Sequence, residues 1–241
     1  MKVLTAYVLL FFCYGILNAQ PLKKVYKTIA HTTVYKDDNR RMYIFTGALM
    51  IDADGAPKAY HKNDMLALDH LSNGGEPGNW WALVTDNNMP SGIPLVQTPS
   101  DPAPGYYISM TSLENQAKDH TDPGRFVNAE AIPYIAIPAG FSKDFKLGDI
   151  ALVYNKENGK KCFAIYADVG PEHLIGEGSI KLAKELGIDA SPKHGGTETG
   201  IVYILLIGSG QGKILSPQQI DAIGRWRLPE EEMEMLLKNA M

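Results

Sequence analysis

Cysteine is nearly missing from this 241-residue chain, which has two, Cys13 and Cys162. Cys13 follows Leu10, Phe11 and Phe12, where a lipidation site needs small residues, so no lipid anchor is expected. Cys162 is the one cysteine outside the N-terminal apolar stretch, which excludes an internal disulfide and leaves it as a small apolar side chain. Beyond that stretch no apolar run reaches the roughly 20 residues that cross a bilayer, and no membrane partner is expected. Positive charge is also short: 23 Lys and Arg stand against 27 Asp and Glu, a formal charge of −4. That balance argues against nucleic acid as a partner and is compatible with a cationic one. There is no internal repeat and no low-complexity segment.

What is present at the start reads as an export signal. Met1–Ala19 carries the single cation Lys2, an apolar stretch from Tyr7 to Leu17, and small Ala19 before Gln20. The expected location is secreted or periplasmic. Cleavage would remove Lys2 and no anion, taking the formal charge from −4 to −5. The remaining chain is long enough for one substantial core, and its 23 glycines and 15 prolines point to short strands and many turns.

Strand-like runs bounded by Gly, Pro, Asn or Asp cover Val25–Tyr35, Tyr43–Ile51, Trp80–Thr85, Gly105–Met110, Tyr134–Ile137, Ala151–Tyr154, Cys162–Ala167 and Gly200–Ile207. Helical signals are fewer. They are Lys62–Leu71, Ser179–Leu186 ended by Gly187, a helix capped by Ser216 with Pro217 at its first position, and another opened by Pro229 and running through Leu237. The expected class is mainly β with a few helices, in one monomeric unit. An N-terminal segment 20–44 precedes the body 45–210, and a helical extension 211–241 follows it.

Three stretches concentrate polar chemistry. In "MIDADGAPKAYH", Asp52, Asp54 and Gly55 end a strand; a calcium loop starting at Asp52 would need an acid at its twelfth position, where this chain has Asn63. An Asp-Gly turn beside a binding surface is the preferred reading, with no metal assigned. In "PGNWWALVTDNN", neighbouring side chains of a strand face opposite ways, so at most one of Trp80 and Trp81 fills the core. The other either stacks on a sugar ring or is covered by a loop. In "FAIYADVGPEHLIGEGS", an apolar run delivers Asp168 at a strand end and Glu177 before a helix. Two carboxyl groups in unlike environments suit general acid-base cleavage of a glycosidic bond, although strand-end aspartates and helix-start glutamates also occur without catalysis.

The residues "IDADGAPKAYH", "PGNWW", "DPAPGYYISMTSL", "IPYIAIP", "LGDIALV" and "FAIYADVGPEHLIGEGSIKLAKELGI" resemble, in this order, the secreted chitosanases of glycoside hydrolase family 75, especially bacterial members. The likeness runs from about Phe45 to Gly210 and is most specific from Ala164 to Ser179. There it matches the family's Asp after a β-strand and Glu in a Gly-Glu-x-Ser motif, so Asp168 and Glu177 become the implied catalytic pair. The resemblance implies hydrolysis of β-1,4 links in partly deacetylated chitosan, inversion at the anomeric carbon, no cofactor, and a six-stranded double-psi barrel. Two features depart from it: fungal members carry a cysteine-containing Asp-rich stretch and disulfides, and the tail after Gln211 does not resemble the family.

With that context Asp52, Asp54 and Asp86 become candidates to grip protonated amines, and Trp81 and Tyr107 to stack on sugars. Thr85 and Ser179 are candidates to bond a water or a sugar hydroxyl. Asp168, after its apolar run, is expected to hold the proton as general acid, and Glu177, near a helix N-terminus, to stay ionised and activate water. Rival readings are a hydrolase of another amino-sugar polymer such as peptidoglycan, and a non-catalytic polysaccharide-binding protein.

Overall fold

The computed structural model describes residues 24–240, so the export-signal reading of 1–19, Cys13 included, lies outside the described residues. The chain opens with an antiparallel hairpin, β1 (Lys24–Ile29) and β2 (Thr32–Asp37). The single run expected over Val25–Tyr35 is thus folded in half, because Ala30 adopts φ 48° and reverses the chain without a Gly, Pro or Asn to signal it. Next, β3 (Met42–Asp52) pairs with β2.

From there the chain makes a long excursion containing a 3₁₀ turn at Leu71–Asn73, a small hairpin of β4 (Gly75–Glu76) and β5 (Asn79–Trp80), and a second 3₁₀ turn at Pro123–Arg125. The remaining strands are β6 (Tyr134–Pro138), β7 (Ile150–Asn155), β8 (Lys161–Gly170) and β9 (Glu177–Ser179). Helix α1 (Ile180–Glu185), strand β10 (Thr197–Leu206), and helices α2 (Pro217–Arg227) and α3 (Glu230–Ala240) complete the described chain.

The order β3-β10-β7-β8-β6-β9, with β9 returning to β3, closes six strands into a barrel. The mainly β barrel with few helices expected from the sequence is what the chain forms. The β3–β9 and β6–β8 pairs are parallel and the other barrel pairs antiparallel. Closure pairs both edges of each of these strands, which otherwise would present unpaired backbone groups to solvent. Ile201–Leu206 and Ile150–Val153 are buried at every position, which is why they read as unbroken apolar runs. Phe45 and Tyr203 are register partners whose rings stack at 4.5 Å, an arrangement that adds about 0.5–1.5 kcal/mol beyond burial. Outside, α2 lies on β8 through Gly224, where an added Cβ would meet the Phe163 ring at 2.3 Å.

Helix starts follow their caps. Ser179 Oγ accepts from the Leu182 N–H at the head of α1, and Ser216 with Gln219 forms a reciprocal capping box on α2, as expected for both. No helix forms over Lys62–Leu71. There Asn63 Oδ1 accepts from Met65 N–H at 3.1 Å and Asp64 Oδ1 from Leu71 N–H at 3.0 Å, so side chains take backbone donors that a helix would need. Of the strands expected at Trp80–Thr85 and Gly105–Met110, only Trp80 lies in one. One isolated bridge, Leu83 to Ser109, joins the two stretches, while Thr85 bridges to Pro94 and Tyr107 to Val96 in the loop between them.

Candidate active site

A bulge aims Asp168. Ile135 of β6 pairs with Tyr166 of β8, yet the next residue, Ala136, pairs with Asp168, which leaves Ala167 as an extra residue on β8. Without it Ala136 would oppose Ala167, and Asp168 would point to the other face of the sheet. On its other side Ala136 pairs with Glu177 of β9. Residues in register across neighbouring strands share a face, so Asp168 and Glu177 stand on one face with only the Ala136 methyl between their strands. The Glu177 carboxylate reaches back over Gly170: a Cβ added there would lie 2.8 Å from Glu177 Oε2 and 3.9 Å from the Ala136 Cβ. Gly170 is two residues along β8 from Asp168, an offset of about 6.6 Å.

The flanking glycines explain how Glu177 gets there. Gly176 has φ +101° and a Cβ on it would strike Ala48 O at 2.6 Å, while a Cβ on Gly178 would strike Tyr134 O at 2.9 Å. Only glycines let β9 lie between β3 and β6. Ser179 follows, fully buried, its hydroxyl donating to Ile132 O at 2.8 Å and accepting from Tyr134 N–H at 3.0 Å and Leu182 N–H at 3.1 Å. The Thr85 hydroxyl is likewise committed, donating to Met89 O at 2.8 Å. Both therefore build structure and do not serve a water or a sugar as expected.

More acids gather at the same end of β3. Asp52 Oδ1 accepts from Asp54 N–H at 2.7 Å and Gly55 follows with φ +74°, which is the Asp-Gly turn read from the sequence. Asp54 Oδ1 accepts from Tyr60 Oη at 2.7 Å and Ser109 Oγ at 3.3 Å, and Tyr134 Oη donates to Asp54 O at 3.0 Å. Oxygens of Asp52, Asp54 and Asp168 lie within 4.8 Å of one another. A cluster of that kind suits an ammonium as well as a metal ion, nothing besides the acids marks a metal centre among the described residues, and we assign none. Buried Asp69 accepts from His70 N–H at 2.7 Å and Asn73 Nδ2 at 2.9 Å. Asp52, Asp54, Asp69 and Glu177 line one cleft of about 820 Å³ with Tyr60, Asn73 and the loop from Pro192 to Glu198.

Electrostatics differ among these groups. Burial pushes Asp52 well above the usual carboxylate range, with Glu177 and Asp168 adding to it; burial does the same to Asp54, with Asp52 and Asp168 adding. Asp168 is also raised by burial, but donors from Ser112 and Val169 pull it back toward ionisation. Glu177 is pushed up to about 7, by burial first and then by the charges of Asp168 and Asp69. Among the described residues none donates a hydrogen bond to its carboxylate. The environments therefore run opposite to the roles expected from the sequence. Glu177 sits in a buried strand two residues upstream of Ser179, and it is the Ser179 hydroxyl that caps the six-residue α1.

The other expected binding residues separate. Trp80 is 9% exposed and Trp81 52%, so one tryptophan fills the core and the other faces out; Trp81 Nε1 donates to the backbone of the cleft residue Asn73 at 2.9 Å. Asp86 does not line the cleft. Its exposed carboxylate accepts from Ile93 N–H at 2.9 Å and closes a surface loop. Tyr107 packs, partly buried, against the main core and is not among the residues that line this cleft. Tyr60, Asp69, Asn73 and Tyr134 enter the site unannounced by sequence. Tyr60 alone had a local cue, six residues after Asp54 in the same polar stretch.

A scan against protein-family models finds none that matches this chain, and a search of curated proteins finds no match.

Proposed function

We propose that this protein is a secreted glycoside hydrolase that cleaves β-1,4 bonds in chitosan or a closely related amino-sugar polymer by inversion, without a cofactor. The observation that carries this reading is the placement of Asp168 and Glu177 on one sheet face across Ala136. One strand lies between theirs, so their backbones stand about two strand spacings, roughly 9.5 Å, apart, and an inverting pair needs carboxyl groups roughly 6.5–9.5 Å apart to leave room for a water. In this mechanism Glu177, pushed up to about 7, carries its proton in a substantial fraction of molecules near neutral pH and gives it to the departing glycosidic oxygen. Asp168, its Oδ1 served by three donors, acts as the base and takes a proton from the attacking water. Asp52, Asp54 and Asp69 line the cleft with carboxyl oxygens that can accept from protonated amines, whose positive charge would in turn favour the ionised acids, and Trp81, bonded to the cleft residue Asn73, offers an exposed ring to a sugar face.

Incubation of the purified protein with chitosan, chitin and peptidoglycan, followed by assay of new reducing ends, tests the reading. Cleavage of chitosan that is lost in Asp168→Asn and in Glu177→Gln supports it. Cleavage of peptidoglycan alone changes the polymer, and no cleavage of any leaves a binding protein. Proton NMR of the first products should show the α-anomer; an initial β-anomer would replace inversion by a covalent intermediate.

A further inference from the structure

Asp168 has a partner outside the acid cluster. The Ser112 backbone N–H donates to Asp168 Oδ1 at 2.9 Å and the Ser112 hydroxyl to the same oxygen at 2.6 Å. Val169 N–H also reaches Oδ1, at 2.8 Å, and approaches Ser112 Oγ at 3.2 Å. A hydroxyl oxygen that accepts one N–H turns its own proton elsewhere, and the 2.6 Å contact shows that it turns to Asp168. The segment is anchored on both sides. Leu113 N–H donates to the bulged Ala167 O at 2.8 Å, while Thr111 Oγ1 donates to Leu113 O at 2.8 Å and accepts from Val127 N–H at 3.0 Å.

All three donors fall on Oδ1, and among the described residues none hydrogen-bonds to Oδ2. The groups that face Asp168 are Asp52 and Asp54 at the end of β3, Glu177 on β9, Tyr134 on β6 and Tyr166 on β8 itself. Each is acidic or phenolic and none offers a positive charge. We propose that Ser112 is a positioning residue for Asp168: it holds Oδ1, fixes the carboxylate's rotation so that Oδ2 is the oxygen presented for chemistry, and favours the ionised form. This rests on the reading of Asp168 as the base.

The test compares wild type with Ser112→Ala and Ser112→Thr by two readouts. One follows the Asp168 carboxyl carbon through a pH titration by ¹³C NMR, assigned with Asp168→Asn; the other follows kcat/KM against pH on chitosan. Because Ser112 donates to the carboxylate ion, removing its hydroxyl raises the proton affinity of Asp168. In Ser112→Ala the titration midpoint and the acid limb of the rate profile should both move to higher pH by about one pH unit. KM should change less than about twofold, and Ser112→Thr should restore the wild-type curve. A Ser112→Ala titration that overlays wild type overturns the proposal. So does a fall in activity that Thr does not rescue and that leaves the pH profile unmoved. Should Ser112→Ala fail to fold, Ser112→Cys, a weaker donor, is expected to move the same midpoint in the same direction. If wild type cleaves no polymer, the catalytic reading falls and the NMR titration still decides whether Ser112 controls Asp168.

Discussion

Replacing Glu177 by glutamine should remove activity and strengthen the fold, by an amount that depends on pH. The Glu177 carboxyl titrates at about 7 in the folded protein against an ordinary value of 4.5. At about 1.36 kcal/mol per tenfold change in proton affinity, that difference corresponds to about 3 kcal/mol. The sign follows from linkage. A carboxyl group whose folded value is raised binds its proton more tightly when folded, so stability is intact below pH 4.5, declines as pH rises toward 7, and is lowest above it. Glutamine cannot ionise and escapes the decline. For a domain of this size 1 kcal/mol moves Tm by roughly 2–4 °C, so Glu177→Gln should melt about 6–12 °C above wild type at pH 8.5 and nearly level with it at pH 4. Calorimetry at both pH values reads the difference, and reducing-end assays should show turnover down by about 10²- to 10⁴-fold. Equal Tm changes at the two pH values, or no gain at pH 8.5, would refute the claim that Glu177 is strained by its surroundings.

Other outcomes follow from the same geometry. Gly170→Ala places a methyl carbon 2.8 Å from Glu177 Oε2, so kcat should fall at least about tenfold with Tm little changed, because the far end of a side chain yields and the barrel does not. Gly178→Ala instead presses on backbone at Tyr134 O, 2.9 Å away, and should cost about 1–3 kcal/mol in urea unfolding. Asp69→Asn should raise KM for chitosan and make it less salt-sensitive, whereas Asp86→Asn, on its surface loop, should leave both unchanged; equal effects of the two would count against an acid-lined cleft. Ser216→Ala removes the α2 cap and should lower stability by about 1 kcal/mol without touching turnover.

The barrel strands were legible where burial on both faces left unbroken apolar runs, as at Ala151–Tyr154 and Gly200–Ile207. Helix starts were legible where a capping serine met a backbone donor, at Ser179 and Ser216. The excursion between β3 and β6 was not, because its course is set by side chains such as Asn63 and Asp64 binding backbone donors, and sequence periodicity carries no trace of that. Asp168 and Glu177 could be named, but their environments could not. The bulge at Ala167 leaves no mark in the string "FAIYADVG", and the perturbation of Glu177 comes first from burial and then from Asp168 and Asp69, the second more than a hundred positions away in the chain. Ser112 lies in "DPAPGYYISMTSL" with no local sign of a role, since nothing there says that residue 112 will lie against residue 168.

The three-residue strand β9 is the seam of the ring and also the mount of Glu177. Unzipping Glu177–Ser179 from β3 and β6 would open the cylinder and displace the Glu177 carboxyl in one movement, so under the proposed mechanism barrel closure and placement of the acid would be lost together. A polymer lying across both carboxylates would act as a staple on that seam. Deuterium uptake should then slow on substrate binding at the Met50 amide, which donates to Gly176 O at 2.8 Å, and at Gly178, far more than at the strands on the opposite wall.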